Sequence, residues 1–534
     1  MTGSTLAHTL QCWGEARSAL NYAIQNYLDR TIALQSDLQT HRLSGDLTSV
    51  RDTLPKTWAE DIKVPANYSK LAQAHTHLNQ IRNSFLSINA LPLEILLRIL
   101  RLSAFRSFHT RYNTPIPDPY DQDDRKDLLV LTHVCTQWRT ILLNTQTFWS
   151  RFELTTKESP VMAGERAQAY LDRAPDVPLS FHIDEHPKHA LDYGAKHPTL
   201  KHFGSQFNRL ARLALINFQE SRTAEDIILF WMENGIPGAL RTLMIRMDTD
   251  YWFDEVLDIR SDSLTREQAE SFLSPIRVLY LHGLRFDWAS SVYHNLVVLR
   301  LGGFSKEYSP RIHRLLAIFS ASPQLHTLQL FGMQILSSYL DGYEPVSFTH
   351  LEQLSLTDLS AESYSLLLPT IFIQSKNLAF RVGSDTMDEE SYGSVRAFLT
   401  RTNVTRLFIQ NWTKPCDCSL YLSAVPNLQT LLASFAHAPG DVCLSALTRS
   451  DESKGTHIHC PQLHTIHLLY GSISSEAIQR VVDIYQIQKL RFAGCNIKPS
   501  KNELRDWLEP RVADVQFDEK LSSSEIFDWY DLLS

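Results

Sequence analysis

A repeated apolar spacing between residues 205 and 520 constrains the fold of this chain more than any other feature. Apolar residues recur as L-x-x-L-x-L, and the last two of them alternate as they do on a short β-strand. Many of the intervals read as amphipathic helices, for example residues 309–322 and 474–485. The repeats start at Leu210, Leu240, Ile276, Leu296, Leu325, Leu351, Leu378 (the weakest), Val404, Leu428, Leu463, Ile487 and Val512. Strand followed by helix, repeated in this way, predicts a curved solenoid with a parallel sheet on its concave side.

The distances between these starts resemble those of leucine-rich repeats, which recur every 20–29 residues or so. Three longer intervals, which begin at Leu210, Leu240 and Leu428, predict loops or longer helices. The Asn or Cys that usually follows the strand of such a repeat is in place only once, as Cys495. The array is therefore irregular, and the predicted fold class is α/β and multi-domain, with a helical region before the array.

Helical patterns dominate the chain before the array. Helices are predicted over residues 15–50 and 68–88, and another helical pattern covers residues 128–154. Residues 109–126 are rich in proline and acidic side chains and show no periodicity, so they predict a loop. The predicted divisions are a helical region (1–87), a second helical domain (88–154), a linker with irregular repeat elements (155–205), the array (206–520) and a tail (521–534).

The segment from 88 to 100, INALPLEILLRIL, is apolar on almost every side when it is read as a helix. Pro92 suits the first turn of such a helix, because its missing N–H would be unpaired there in any case. A helix with no polar face must be covered on both sides. A domain of this size covers one side, so we expect Leu91, Pro92 and Ile95 to leave an exposed apolar patch that a partner covers.

Two ordered half-motifs in residues 88–154 resemble the F-box, especially its fungal form. The first half is L-P-x-E-I-L-x-x-I-L, the second is V-C-x-x-W-R, and T-x-x-F-W-S follows. The matching residues are Leu91, Pro92, Glu94, Ile95, Leu96, Ile99 and Leu100, then Val134, Cys135, Trp138 and Arg139, then Thr145 to Ser150. The chain departs from the family in the long loop between the halves, which either bulges out or obstructs the partner.

The resemblance implies a non-catalytic role as the substrate-recognition subunit of a Skp–cullin–F-box ubiquitin ligase. The repeats would bind a target protein, and a Skp-type adaptor would link the chain to a cullin–RING ligase. The implied adaptor-binding residues are Leu91, Pro92, Ile95, Leu96, Ile99, Leu100, Val134, Cys135 and Trp138. The alternative is a leucine-rich-repeat scaffold whose F-box-like segment packs only internally. An enzyme is the other class considered, and nothing in the sequence supports it.

The strand positions that flank the two core positions of each repeat carry an unusual charge pattern. The ten clear repeats, without those at Leu378 and Val512, offer thirty such positions, of which six are basic and none is acidic. The basic residues are Arg212, Arg246, Arg300, Arg406, Lys489 and Arg491, and the same positions include Tyr280, His282, Phe331, Phe408 and His467. We interpret them as a solvent-exposed site for an acidic or phosphorylated target segment, because Arg pairs bidentately with carboxylates and phosphates. Chance stays open as the other explanation.

Few residues indicate catalysis or metal binding. The chain has no G-x-x-x-x-G-K-[ST], G-x-G-x-x-G, H-E-x-x-H or G-x-S-x-G motif. Asp248 and Asp250 read as solvated loop acids. The residues that could be read as zinc ligands are Cys416, Cys418, Cys443, His457, His459 and Cys460. A C-x-C pair with single distant partners is a poor match to structural zinc sites, so we expect separate core thiols and loop histidines, no metal and no cofactor.

Charge and cysteine content suggest where the protein works. The net charge of −8 argues against non-specific nucleic-acid binding. Seven cysteines in 534 residues indicate reduced thiols rather than a disulfide scaffold. The first residues have no basic and apolar segments of the kind that form a signal peptide, and the longest apolar stretches are too short to span a bilayer. We therefore expect a cytoplasmic or nuclear protein without a membrane or nucleic-acid partner.

Overall fold

The computed structural model describes most of the array and parts of the chain before it. The described residues are 3–44, 83, 87–104, 125–155, 160–184, 203–218, 221–247, 255–257, 259, 264–337, 344–383, 387–410, 421–435, 440–448 and 460–518. The chain divides into two compact units, residues 1–96 and 97–534.

The helices occur both before the array and between its strands. Their bounds are α1 Gly3–Ser44, α2 Leu93–Ala104, α3 Arg125–Thr132, α4 Thr136–Asn144, α5 Pro160–Leu171, α6 Ser221–Asn234, α7 Arg266–Leu273, α8 Ile312–Ser320, α9 Ala361–Leu367, α10 Glu389–Arg401, α11 Gly440–Thr448, α12 Ser475–Ile484 and α13 Lys501–Leu508. Short 3-10 turns lie at Ser87–Ala90, Gln146–Phe148, Gly204–Arg209, Ser291–Tyr293 and Leu368–Thr370.

The strands alternate with the helices along the second unit. Their bounds are β1 Arg151–Thr155, β2 Leu179–Asp184, β3 Leu210–Phe218, β4 Thr242–Met247, β5 Glu255–Val256, β6 Val278–His282, β7 Leu284–Arg285, β8 Val298–Gly302, β9 Thr327–Phe331, β10 Val346–Phe348, β11 Gln353–Thr357, β12 Ile371–Ile373, β13 Leu378–Gly383, β14 Val404–Ile409, β15 Thr430–Ser434, β16 Thr465–Ser474, β17 Lys489–Lys498 and β18 Asp514–Asp518.

Fourteen strands form one parallel sheet in the order β1-β2-β3-β4-β6-β8-β9-β11-β13-β14-β15-β16-β17-β18. The remaining strands pair as β5 with β7 and β10 with β12, also in parallel. Neighbours in the large sheet therefore follow chain order, as repeats that stack only on adjacent repeats require. This mixed α/β arrangement confirms the predicted fold class and is consistent with a leucine-rich-repeat solenoid.

All twelve predicted repeat starts lead into a strand of this sheet. This includes the weak start at Leu378, which is the first residue of β13. The long interval that begins at Leu210 contains the 14-residue helix α6, and the one that begins at Leu240 contains β5 and α7. The sheet also contains β1 and β2, which the spacing did not predict. The sheet therefore starts at Arg151, well before residue 206.

The alternating apolar residues on one face of the sheet form its core. Leu243, Leu279, Leu299 and Leu328 occupy equivalent positions on four successive strands, and all four are buried. Helices pack against this side through their own apolar faces, since every leucine of α8 is buried. The core therefore runs along the array as one continuous layer.

Polar side chains fix where several of the helices begin. Thr265 precedes α7 and its hydroxyl accepts a hydrogen bond from the Gln268 N–H at 3.2 Å, while the Gln268 side-chain oxygen accepts one from the Thr265 N–H at 2.8 Å. Asp388 and Ser391 make the same reciprocal pair at α10. These capping boxes satisfy N–H groups that the first turn of a helix leaves unpaired.

The first unit contains α1, which begins earlier than the predicted helix 15–50. Most of the predicted helix 68–88 lies outside the described residues, as do residues 109–124 of the predicted loop 109–126 and the tail 521–534. The last two residues of that predicted loop, Arg125 and Lys126, are instead the first residues of α3. The described residues include no helix that is long and apolar enough to cross a membrane.

Candidate functional site

The register of the sheet places the predicted target-binding residues on one face. Arg246 pairs with His282, while Tyr280 pairs with Arg300 on the next strand. Residues two apart on a strand point to the same side, so these side chains share the face opposite the leucine core. We call this surface the basic face. Its basic strand residues are Arg151, Arg212, Arg246, Arg300, Arg381, Arg406, Lys489 and Arg491.

Acidic residues occur on the basic face only at its two ends. From β3 to β17 the registered positions on this face include no acidic residue. Acidic residues stand on the flanking strands, namely Glu153, Asp184, Asp514 and Asp518. One of them is already paired, because the Arg491 Nε lies 2.5 Å from the Asp518 carboxylate. The middle of the face is therefore basic, and its end strands also carry acidic residues.

Burial contradicts the prediction that this face is exposed to solvent. Arg246 is 9% exposed, Arg300 is 6% exposed and Phe408 is fully buried. Tyr280, Phe331 and His467 are also buried, while His282, Arg406, Lys489 and Arg491 are half-buried and Arg212 is exposed. Alternation along a strand shows which residues share a face, but it does not show whether that face is covered. The buried residues are therefore packing residues of a covered face and not open contacts for a target.

An aromatic cluster organises the first half of the basic face. The rings of His282 and Phe331 stack with their centroids 5.5 Å apart and their planes 7° from parallel. Tyr280 stacks less closely on Phe331, at 6.2 Å. Apolar side chains complete a buried cluster with these rings; they are Ala214, Ile216 and Met244.

Glycine makes the stacking of His282 on Phe331 possible. The two residues are two strands apart, and Gly302 lies between them in the register. Neighbouring strands are about 4.8 Å apart, so a side chain at the middle position would separate the rings. A Cβ at Gly302 would lie 2.4 Å from the Phe331 carbonyl oxygen and 2.6 Å from its ring. The glycine is therefore a packing requirement of this face.

Burial and neighbouring charges shift the titration of this cluster. Burial and, to a smaller extent, the Arg246 charge together lower the pKa of His282 to about 4. Burial raises the pKa of the Tyr280 hydroxyl, an effect that the charges of Arg246 and Arg300 oppose. Near neutral pH both rings are therefore uncharged and the two arginines carry the positive charge.

A second apolar cluster occupies the face toward its other end. Its members are Ala379, Phe408, Leu432, Leu469 and Ala493, with Tyr470 packed against them. The Arg381 guanidinium lies 4.7 Å from the centroid of the Phe408 ring, at cation–π distance. Arg381 was missed from the sequence because its strand follows the weakest repeat, although that strand has the same alternation as the others.

His467 is a fully buried member of this part of the face. Neither of its ring nitrogens has a hydrogen-bond partner among the described residues. Burial and, to a smaller extent, the charges of Lys489 and Arg491 together lower the pKa of His467 to about 4. The ring is therefore neutral near pH 7 and holds one unused donor and one unused acceptor.

The half-buried cations of the face differ from the buried ones in their access to solvent. Burial lowers the pKa of Arg406, and the carboxylate of Glu352 opposes that effect. Lys489 and Arg491 lie on the strand next to His467. The side chains of these three residues are therefore partly accessible to solvent.

Helix α2 shows a different pattern from the basic face. Leu96, Leu100 and Ala104 are buried and recur every four residues, so they mark the packed side of the helix. Leu96 and Leu100 were predicted to contact an adaptor; they are instead core residues, because the helix turns them inward. Ile99 is half-buried.

The motif residues at the start of α2 face outward. Leu91, Leu93 and Ile95 are 36%, 53% and 48% exposed, and Pro92 is exposed as well. The expected exposure of Leu91, Pro92 and Ile95 is therefore confirmed. Leu102, further along the helix, is also exposed.

The second half-motif builds the junction between α3 and α4. Val134 is exposed and Trp138 is half-buried. Cys135 is the N-cap of α4, and its Sγ accepts a hydrogen bond from the Trp138 N–H at 3.5 Å. Cys135 therefore has a structural role in starting the helix. Trp149 is buried and donates from Nε1 to the Leu142 carbonyl at 2.8 Å, as expected of a core anchor.

The residues considered for metal binding do not assemble a site within the described part of the chain. No group of three or more His, Cys, Asp or Glu side chains there could hold a metal ion. Cys460 is buried, with its Sγ 3.4 Å from the Leu422 carbonyl oxygen. The side chain of Cys443 is not described, and Asp248, Asp250, Cys416, Cys418, His457 and His459 lie outside the described residues.

A cavity of about 830 Å³ lies beside α7 and the small β5–β7 sheet. Leu273 and Phe286 line it together with Glu270 and Arg285. The charged groups already have partners: Glu270 accepts a hydrogen bond from the Ser291 N–H at 2.7 Å, and Arg285 donates to the Tyr308 carbonyl at 3.1 Å. No predicted site residue lines the cavity.

Comparisons with known proteins leave the function open. No protein-family model and no curated protein matches the chain. Solved structures that match include the leucine-rich repeat-containing protein LegL7 from Legionella pneumophila, at 14% identity and a TM-score of 0.32, over 68% of this chain and 97% of that one. The complex of Rad7 and Elc1 in yeast also matches, at 11% identity and a TM-score of 0.32, over 88% of this chain and 98% of that one. The repeat fold rests on the strand order and not on these likenesses.

Proposed function

We propose that the chain is a non-catalytic receptor that docks a Skp-type adaptor through its F-box-like segment and recruits a target protein through its repeats. In this role it would bring the target close to a ubiquitin-charged enzyme on a cullin–RING ligase and so raise the local concentration of the target. Leucine-rich-repeat solenoids suit such work because each repeat adds surface without chemistry of its own.

The observation that supports this role is the exposure of the motif residues on α2. Leu91, Leu93 and Ile95 present large apolar side chains to solvent at the start of one helix. Exposed apolar patches of this kind mark interaction sites, since their exposure is unfavourable until a partner covers them. The F-box resemblance supplies the class of partner.

A binding titration with a purified Skp-type adaptor tests the proposal. Ile95→Asp places a charge in the apolar patch, and we expect it to weaken adaptor binding by about 30-fold, which corresponds to about 2 kcal/mol. Ile484→Asp is the matched control, because Ile484 is a similarly exposed isoleucine on α12 in the array. The control should bind like the unchanged chain.

The double variant Leu91→Ala with Pro92→Ala sharpens the same test at the start of the motif. Circular dichroism should show that its repeats remain folded, since both side chains are exposed. Equal adaptor affinity for both motif variants and the control would contradict adaptor docking through α2. Deletion of residues 109–126 is the further control, because this loop separates the two half-motifs and would then be the suspected obstruction.

A further inference from the structure

Helix α1 has no neighbour packed against it in the stretch where its side chains are described. The helix runs from Gly3 to Ser44, so at 1.5 Å per residue it is about 63 Å long. From Gln11 to Asn26 every residue except Gly14 is exposed to solvent. A helix in water gains most of its stability by packing one face against a neighbour. A helix of this length therefore indicates an interaction that the described part of one chain does not supply.

The apolar residues of α1 follow a heptad spacing. Steps of four and three residues alternate without interruption from Leu6 to His41 and mark eleven positions. Eight of the eleven are Leu, Ile, Trp or Tyr, against four of the remaining 31 residues of the helix. We call these positions the α1 seam; they are Leu6, Leu10, Trp13, Arg17, Leu20, Ile24, Tyr27, Thr31, Leu34, Leu38 and His41.

The period of the α1 seam indicates what kind of element covers it. Alternating steps of four and three give 3.5 residues per turn, which drifts by about 20° per heptad around a straight helix of 3.6 residues per turn. Over five heptads the drift reaches about 100°, so a neighbour packed on one fixed side would meet only part of the seam. Two helices that supercoil around each other follow such a seam along its whole length. The occupant is therefore another long helix.

The middle of the α1 seam is open to such a helix. Trp13, Leu20 and Ile24 are 44%, 44% and 50% exposed. Arg17 lies between them on the seam, and its guanidinium is 5.7 Å from the centroid of the Trp13 ring. The apolar stem of an arginine can lie along a seam while its charge reaches water. The residues needed for helix pairing are therefore accessible in the single chain.

A second copy of α1 has the length and the apolar surface that the seam requires. A fully covered Leu or Ile buries on the order of 100 Å², and Trp or Tyr buries about 150 Å² or more. Eight such residues on each of two copies bury on the order of 1,000–2,000 Å². Stable protein–protein interfaces bury about 1,200–2,000 Å². Two α1 helices are therefore sufficient to hold two chains together without any further contact.

Charge favours one orientation of the pair. In a parallel pair in register, Arg17 of one copy would face Arg17 of the other, which like charges oppose. In an antiparallel pair centred between Ile24 and Tyr27, Arg17 meets Leu34 instead. The two copies of Arg17 then lie 17 residues apart along the pair, about 25 Å. The antiparallel orientation therefore removes the one like-charge contact in the seam.

We propose that this chain forms a homodimer through the α1 seam, with two copies of α1 as an antiparallel helix pair. The dimer carries two repeat arrays, so a target that offers two matching sites can bind through both with a higher apparent affinity. This proposal goes beyond the receptor role and does not depend on it, because α2 takes no part in the pair.

Sedimentation equilibrium of the full chain tests the proposal. We expect the mass of two chains, with a dissociation constant in the micromolar range or tighter. Leu20→Asp with Ile24→Asp places charges at the centre of the seam and should weaken dimerisation about 30-fold or more. A single-chain mass for the unchanged protein at tens of micromolar would mean that some other partner covers the seam, and it would overturn the proposal. A mass of three or four chains would also overturn it.

Ser18→Asp with Tyr22→Asp is the matched control. It adds two carboxylates at the same spacing of four residues, at exposed positions of α1 outside the seam. Both pairs change the net charge equally and have a similar effect on helix propensity, so only the seam pair should separate the chains. The control should dimerise like the unchanged chain. Loss of the dimer in both variants, or in neither, would contradict pairing through the seam.

Cysteine cross-linking tests the orientation of the pair. The variants Arg17→Cys and Leu34→Cys are made separately in a chain that also carries Cys12→Ser, because Cys12 is an exposed thiol on the same helix. After mild oxidation, a mixture of the two variants should form a cross-linked dimer, whereas each variant alone should stay at the level of the Cys12→Ser chain. Cross-linking of the Arg17→Cys variant alone, or none in the mixture, would overturn the antiparallel pair.

Discussion

The sheet and helix α2 distribute their side chains in opposite ways: the sheet buries charged side chains, and the helix exposes apolar ones. On the sheet, arginines such as Arg300 and Arg381 are buried on the basic face. On α2, the apolar side chains of Leu93 and Ile95 are exposed. Burial on the sheet means that its residues already contribute to folding, whereas exposure on α2 means that its residues contribute only when a partner covers them. The two regions should therefore respond oppositely to mutation: the sheet through stability and α2 through binding.

The largest expected effect separates the covered face from an exposed position of the same residue type. Phe408→Ala should lower the free energy of unfolding by about 3–5 kcal/mol, because it removes a buried ring and leaves a cavity. Phe372→Ala should cost about 1 kcal/mol or less, since Phe372 is 43% exposed. Urea denaturation of both variants measures the difference. Equal losses would mean that the basic face is open in solution.

Acid should destabilise the basic face through His467. Its pKa is about 4 in the folded chain, below the ordinary value of 6.5. The unfolded chain therefore binds a proton at a higher pH than the folded chain does, and stability is lost as the pH falls from about 6.5 to about 4. A shift of this size corresponds to at most about 3 kcal/mol.

The variant His467→Leu should flatten that part of the pH dependence of stability. His350→Leu is the control, because His350 is exposed. Urea unfolding at a series of pH values between about 4 and 7 measures both. A pH profile of His467→Leu that matches that of the unchanged chain would show that the ring is solvated rather than buried.

Two glycine substitutions should change the stability of the chain in opposite directions. The first tests the packing of the aromatic cluster, and the second is its control. Gly302→Ala should destabilise the chain by about 1–3 kcal/mol, because the new Cβ would meet the Phe331 carbonyl oxygen. Gly393→Ala should stabilise it by up to about 1 kcal/mol, since nothing lies within 4 Å of the added Cβ on helix α10. Thermal unfolding compares the two. A neutral Gly302→Ala would mean that Phe331 does not lie over that glycine.

The smallest expected effect lies in the F-box-like segment. Cys135→Ala removes the side-chain cap of α4 and should cost about 1 kcal/mol of stability. Cys135→Ser should retain most of that stability, because a hydroxyl accepts the same hydrogen bond. Denaturation of the two variants tests the capping role. A role of Cys135 in adaptor contact would instead appear as a change in adaptor affinity in both variants.

The sequence predicted the order of the repeat strands, because each repeat carries a pair of alternating apolar residues, and such a pair indicates a short strand with one face on a core. It did not predict β1, since Phe152 and Leu154 offer a single alternation and directly follow the T-x-x-F-W-S run that ends at Ser150. It also did not predict that the basic face is covered. Strand period separates the face of Leu299 from that of Arg300, but coverage of the second face depends on the rest of the chain.

For α2, the sequence predicted the exposed side of the helix correctly but not the buried side. The apolar run from Leu91 to Leu100 indicated that some residues would stay exposed, and Ile95 does. The same run did not show which residues are turned inward, because an all-apolar helix has no polar residue to mark its outer side. For that reason Leu96 and Leu100 were wrongly predicted to contact the adaptor.

Docking of an adaptor on α2 can be measured by calorimetric titration of the unchanged chain with a purified Skp-type adaptor. We expect one adaptor per chain and a micromolar or tighter dissociation constant, with a negative heat-capacity change as the apolar side chains of α2 are covered. No heat of binding with adaptor in excess, for the chain with and without residues 109–126, would contradict adaptor docking and favour a repeat scaffold without a ligase role.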